Sequence, residues 1–124
     1  MNTSREVLII DDDSKNIFAL TAVLRAKKYR CRSAMSAEEG FRMLAPGHNI
    51  GAVLMDMMMP GMDGYEAVTK MKQNPDWKGI PVIAITAQAM AGDREKCLEA
   101  GADGYISKPV DVTALVDLLT DLMD

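Results

Sequence analysis

The sequence of 124 residues predicts an α/β fold, a single doubly wound sheet of five parallel strands with helices on both faces. Three observations carry that expectation. Short apolar runs alternate five times with segments of helical periodicity. The clearest runs, such as Val7–Ile10, are apolar throughout rather than at every second residue, as in strands covered on both faces. Charged or hydroxyl residues follow most of the runs, where open parallel sheets gather their chemistry.

The first strand is "VLII" (Val7–Ile10), and Ile17, Leu20, Val23 and Leu24 then recur at helical spacing until Lys27–Lys28. Asp13 or Ser14 is suited to cap that helix. "YRCRSA" is a weaker second strand. Ser36 and Glu39 form a capping box for the next helix, which Pro46 and Gly47 are expected to end. "AVLM" (Ala52–Met55) is the third strand, and Asp63 with Glu66 opens a helix running through Lys72. "VIAIT" (Val82–Thr86) is the fourth strand, Asp93 is expected to cap a helix that Gly101 terminates, and "GYIS" (Gly104–Ser107) is the fifth. Asp111 caps a last helix with Val112, Leu115, Val116, Leu119 and Leu122 as its apolar stripe. Trp77 precedes strand four, so it is expected at the rim opposite the carboxyl ends of the strands.

Composition narrows the function classes. A chain of this length suits one domain, read as residues 1–124. A net charge of −4 argues against a nucleic-acid surface, and no apolar run reaches the ~20 residues that span a bilayer. Cys31 and Cys97 form no CxxC pair and read as buried thiols of a reducing compartment, so the expected location is cytoplasmic. His48 is the only histidine and reads as an exposed bystander, which leaves a histidine-based catalytic or zinc site with little to build on. The eleven methionines read as core and loop filling rather than a copper(I) site.

The chemistry concentrates at the strand ends. Strand one ends in Asp11 and Asp12, strand three in Asp56, strand four in Thr86 and strand five in Lys108. Neighbouring residues of a strand face opposite ways, so Asp11 and Asp12 converge only beyond its end. With Asp56 they offer an oxygen-only donor set of the kind magnesium prefers. Lys108 brings a mobile point charge, Thr86 a hydroxyl, and Ala87 a backbone N–H beside it. Taken singly, each has an ordinary reading as a cap, a strand residue or a solvated charge. Their coincidence on one rim does not.

"LIIDDD", "VLMDMMMPGMDG", "IAITA" and "GYISKP" resemble the receiver domains of two-component response regulators, the CheY-like family, in order and spacing over essentially the whole chain. The resemblance implies strand order 2-1-3-4-5. It implies that Asp56 accepts a phosphoryl group from the phosphohistidine of a sensor histidine kinase or a histidine phosphotransfer protein. It further implies Mg2+ held by Asp12, Asp56 and the main-chain carbonyl of Met58, with Asp11 acting mainly through a water. Thr86, Ala87 and Lys108 would hold the phosphoryl oxygens, and Thr86 with Tyr105 would form the switch. Lys108–Pro109 is the candidate for the family's cis peptide. Met58 and Gln88, two residues beyond Asp56 and Thr86, occupy positions that influence phosphoryl lifetime in the family.

Two other functions compete. A magnesium-dependent phosphatase with Asp56 as nucleophile would place a second aspartate where Met58 stands, and a non-phosphorylated interaction module would not need the full residue set. "DDDSKNIFALTAVL" also resembles receivers fused to hybrid sensor kinases. A stand-alone regulator and an excised module both stay open, as do a monomer and a phosphorylation-dependent dimer. Output is expected through protein contact rather than through nucleic acid or membrane.

Overall fold

A computed structural model describes residues 5–59, 64–87 and 92–123. Its strands are β1 (Glu6–Ile10), β2 (Arg30–Ala34), β3 (Ile50–Asp56), β4 (Val82–Thr86) and β5 (Gly104–Ser107). They form one parallel sheet in the order β2-β1-β3-β4-β5. The helices are α1 (Ser14–Ala26), α2 (Ala37–Met43), α3 (Gly64–Gln73), α4 (Asp93–Ala100) and α5 (Val112–Met123). This is the doubly wound arrangement that the alternation of strands and helices predicts.

The sheet separates two cores. Val7, Ile9, Leu54, Ile83, Ile85 and Ile106 face α1 and α5, with Leu20, Leu24, Leu115 and Leu119. Leu8, Ile10, Val53, Met55, Val82 and Ala84 face the other side, with Ala37, Ala67, Met71 and Cys97 of α2, α3 and α4. Alternate residues of one strand thus feed alternate cores, which is why β1, β3 and β4 are apolar at almost every position. β3 starts two residues earlier than its apolar run suggests. A bulge in its pairing with β1, where Glu6 partners Ile50 and Val7 partners Ala52, lets Gly51 be skipped. β2 is one of the two edge strands and is largely exposed, which explains its weak pattern.

Most helix ends follow the sequence. Asp13 caps α1 by accepting the Lys15 N–H at 2.9 Å, and the Asp111 carboxylate accepts the Ala114 N–H at 3.2 Å at the start of α5. Gly101 ends α4 with φ of 116°, the left-handed conformation that favours glycine. Ser36 caps α2 through the Glu39 N–H, but the Glu39 carboxylate takes the Met35 N–H rather than that of Ser36. α2 then stops at Met43 with Leu44 as its cap, before Pro46 and Gly47 are reached.

Three further readings are corrected. Asp93 does not cap α4: Gly92 occupies that position at φ 86°, and Asp93 turns inward from the first turn. His48 is half-buried, and its Nδ1 accepts the Ile50 N–H at 3.0 Å, bracing the entry to β3. Cys97 is buried as expected, while Cys31 is only half-buried. Asp63 and Gln88 lie outside the described residues.

Trp77 sits at the amino-end rim of the sheet. Its indole N–H donates to the Leu44 carbonyl at 3.1 Å, and its ring stacks on Phe41. No helix among the described residues is long and apolar enough to cross a membrane.

Candidate functional site

Backbone bonds carry the ladder one step past the carboxyl ends of the strands and fix the residues found there. The Asp11 N–H donates to the Ala34 carbonyl at 3.1 Å, the Met57 N–H to Ile85 at 2.9 Å, and the Lys108 N–H to Thr86 at 2.8 Å. Asp11 stands two positions after Ile9, Asp56 two after Leu54 and Lys108 two after Ile106, so by strand alternation all three continue the α1/α5 side of the sheet. Thr86 continues the other side, two residues after Ala84.

Asp11, Asp12 and Asp56 therefore meet. One carboxylate oxygen from each lies within 4.8 Å of the others. Asp11 and Asp56 are 3% and 5% exposed, whereas Asp12 faces solvent. Lys108 Nζ stands 3.9 Å from Asp11 Oδ2 and 3.8 Å from Asp56 Oδ2, bridging the two buried carboxylates. The peptide between Lys108 and Pro109 is cis.

Local turns orient the acids. Asp11 Oδ1 accepts the Asp13 N–H at 2.9 Å, and Asp56 Oδ1 accepts the Met58 N–H at 3.0 Å, each a side chain bonding two residues ahead. Burial foremost, with the negative charge of Asp56, pushes the Asp11 carboxyl above its ordinary range despite the Asp13 N–H and Lys108. The donor set is hard oxygen only, without nitrogen or sulfur, and it suits a small divalent cation.

Gly64 lets α3 approach this rim. A Cβ there would lie 2.5 Å from the Met57 Cα and 3.1 Å from the Asp56 carbonyl oxygen, so a larger residue would displace the backbone next to Asp56.

The remaining expected site residues lie on and just past β4, on β5 and in the turn after β3. Thr86 is fully buried at the end of β4, Ala87 follows it exposed, and Met58 is half exposed. Tyr105 pairs in register with the small Ala84, is half-buried, and donates its hydroxyl to Asp93 Oδ2 at 3.0 Å. The Tyr65 hydroxyl donates to the other oxygen, Asp93 Oδ1. Sequence reasoning missed this junction. Asp93 and Cys97 are the buried residues of α4 and stand four apart, a spacing that marks one inward stripe and was the available signal.

The chain matches the response regulator receiver domain family over residues 7–120. It is 39% identical over 108 residues to the response regulator PleD of Caulobacter vibrioides, covering 87% of this chain but only about a quarter of PleD (24%). It is 33% identical to the polar-differentiation response regulator DivK of Brucella ovis, covering 94% of each. The receiver domain of sensor histidine kinase PA1611 from Pseudomonas aeruginosa, solved with a magnesium ion coordinated in its active site cleft, superposes with TM-score 0.86 at 32% identity, covering 97% of this chain and 98% of that one. The family match spans nearly all of the sheet and its acidic rim, and the chain belongs to the response regulator receiver domains of two-component signalling.

Proposed function

We propose that this receiver accepts a phosphoryl group on Asp56 and in response alters a protein-binding surface. The observation that carries the reading is Lys108 Nζ standing within 4 Å of both buried carboxylates at the mouth of the sheet. A carboxylate nucleophile needs no general base, so the chain has to orient the acceptor and neutralise charge. An Asp56 oxygen attacks phosphorus in line. The phosphorus–nitrogen bond to the partner's imidazole breaks, its electron pair stays on the imidazole nitrogen, and the product is an acyl phosphate. Lys108 is free to turn from Asp56 to a phosphoryl oxygen, while the Thr86 hydroxyl and the Ala87 N–H donate to the others.

Asp11, Asp12, Asp56 and the Met58 carbonyl are the residues proposed to hold Mg2+, with Asp11 acting mainly through a water. The bound ion supplies neutralisation of charge on the transferred group. Met58 is half exposed over the site and is proposed to influence how readily water reaches the acyl phosphate. The donor is a sensor histidine kinase or a histidine phosphotransfer protein. Tyr105 and Thr86 are proposed as the switch: phosphorylation offers the Thr86 hydroxyl the charged phosphoryl oxygens as acceptors, and that difference between the two states drives the ring to move.

Acetyl phosphate with Mg2+ should add one phosphoryl mass, absent in Asp56→Asn and without metal, and removable by hydroxylamine. A modification that persists in Asp56→Asn, or that resists hydroxylamine, overturns the assignment.

A further inference from the structure

Asp93 is 8% exposed, and two phenols converge on it from different elements. Tyr105 of β5 donates to Oδ2 at 3.0 Å and Tyr65 of α3 donates to Oδ1. Both acceptor oxygens are thus engaged by hydroxyls rather than by a cation, although Lys96 Nζ lies 4.2 Å from the centre of the Tyr65 ring. A buried carboxylate is costly unless its oxygens are bonded, so each phenol matters to it. The phenols respond in turn. The bond to Asp93 is the foremost cause raising the Tyr65 hydroxyl well above its usual range, and burial followed by the Asp93 bond raises that of Tyr105.

The network has a direction. Tyr65 ties Asp93 to α3, and Asp93 belongs to the first turn of α4, so α3 and α4 stay joined whether or not Tyr105 is bonded. Tyr105 sits across from Ala84, two residues before Thr86, on the same side of the sheet.

We infer that Asp93 is the positioning residue that sets the resting position of Tyr105, with Tyr65 holding Asp93 in place as the ring leaves and returns. This rests on the proposal that Tyr105 is the switch. Hydrogen bonds to a charged acceptor have energies that correspond to shifting the bonded-to-free ratio of Tyr105 about ten-fold or more when the acceptor is removed.

The test uses the whole chain with 13C-labelled tyrosine, following the Tyr105 ring by NMR, assigned through Tyr105→Phe, before and after treatment with acetyl phosphate and Mg2+. In wild type the ring signal should move on phosphorylation. In unphosphorylated Asp93→Ala it should already lie most of the way to the phosphorylated position. Asp93→Asn keeps the size and one carbonyl oxygen, and should shift the signal the same way by a smaller amount; it serves if the alanine variant does not fold. Tyr65→Phe should produce an intermediate shift although it never touches Tyr105. An unmoved resting Tyr105 signal in folded Asp93→Asn refutes the inference. A wild-type signal that ignores confirmed Asp56 phosphorylation refutes the switch instead, so the two failures are distinguishable.

Discussion

Replacing Asp56 by asparagine tests the electrostatics of the rim directly. With carboxylate oxygens within 4.8 Å of one another, each fully ionised pair repels by ~3.5 kcal/mol or more at an effective dielectric near 20. Lys108 at 3.8 Å offsets about 4 kcal/mol of that for Asp56. Asp12 faces solvent, so its share is heavily screened. The charge terms on Asp56 therefore nearly cancel without metal. Asparagine can still accept the Met58 N–H, and it removes a charge from a position only 5% exposed. Asp56→Asn should be as stable as wild type or up to ~2 kcal/mol more stable in chelator, by urea unfolding. Magnesium at a hundred times its dissociation constant should then add ~2.7 kcal/mol to wild type and clearly less to the variant, which has lost an anionic ligand. A variant more than ~1 kcal/mol less stable than wild type in chelator, or a wild-type curve indifferent to saturating magnesium, would refute the reasoning.

Lys72 Nζ meets the Ile80 carbonyl at 2.9 Å and Asp103 Oδ2 at 2.7 Å, joining α3 to the entry of β4 and β5. Lys72→Met should cost about 2 kcal/mol in urea unfolding while leaving acetyl-phosphate labelling unchanged. Tyr65 and Tyr105 are both raised above the ordinary phenol range, so in the folded state they hold protons that the unfolded chain releases above about pH 10. Their contribution to stability is complete below that pH and is lost as pH rises through the raised values. Stability should fall between pH 9 and 11 less steeply in Tyr65→Phe than in wild type, and identical slopes would remove Tyr65 from the account. Trp77 lies at the opposite rim, so its fluorescence should not respond to magnesium; a saturable quench would place the ion elsewhere.

The sheet was legible because its strands are buried on both faces and cannot tolerate polar residues, so the boundary from Ile10 to Asp11 is also a boundary between core and rim. Asp56 was found for the same reason, though it closes β3 instead of following it. Asp93 was misread because a carboxylate at a helix start is most often a cap, and only tertiary packing shows two phenols waiting for it. The bulge at Gly51 was equally silent, because skipping a residue leaves no trace in an apolar run. His48 looked free because its bond is to backbone, and any sequence supplies that partner.

The alternation of β3 and β4 has a consequence for traffic on the surface. Asp56 and Lys108 continue the side of the sheet covered by α1 and α5, whereas Thr86 and the Tyr105–Asp93 junction belong to the side covered by α3 and α4. Under the proposed function, loading and reading are then assigned to different halves of the molecule. The step between them is one strand wide, from Asp56 of β3 to Thr86 of β4. A donor leaning over α1 and a reader gripping α4 would not contend for the same ground, and the message could be collected before the messenger has departed.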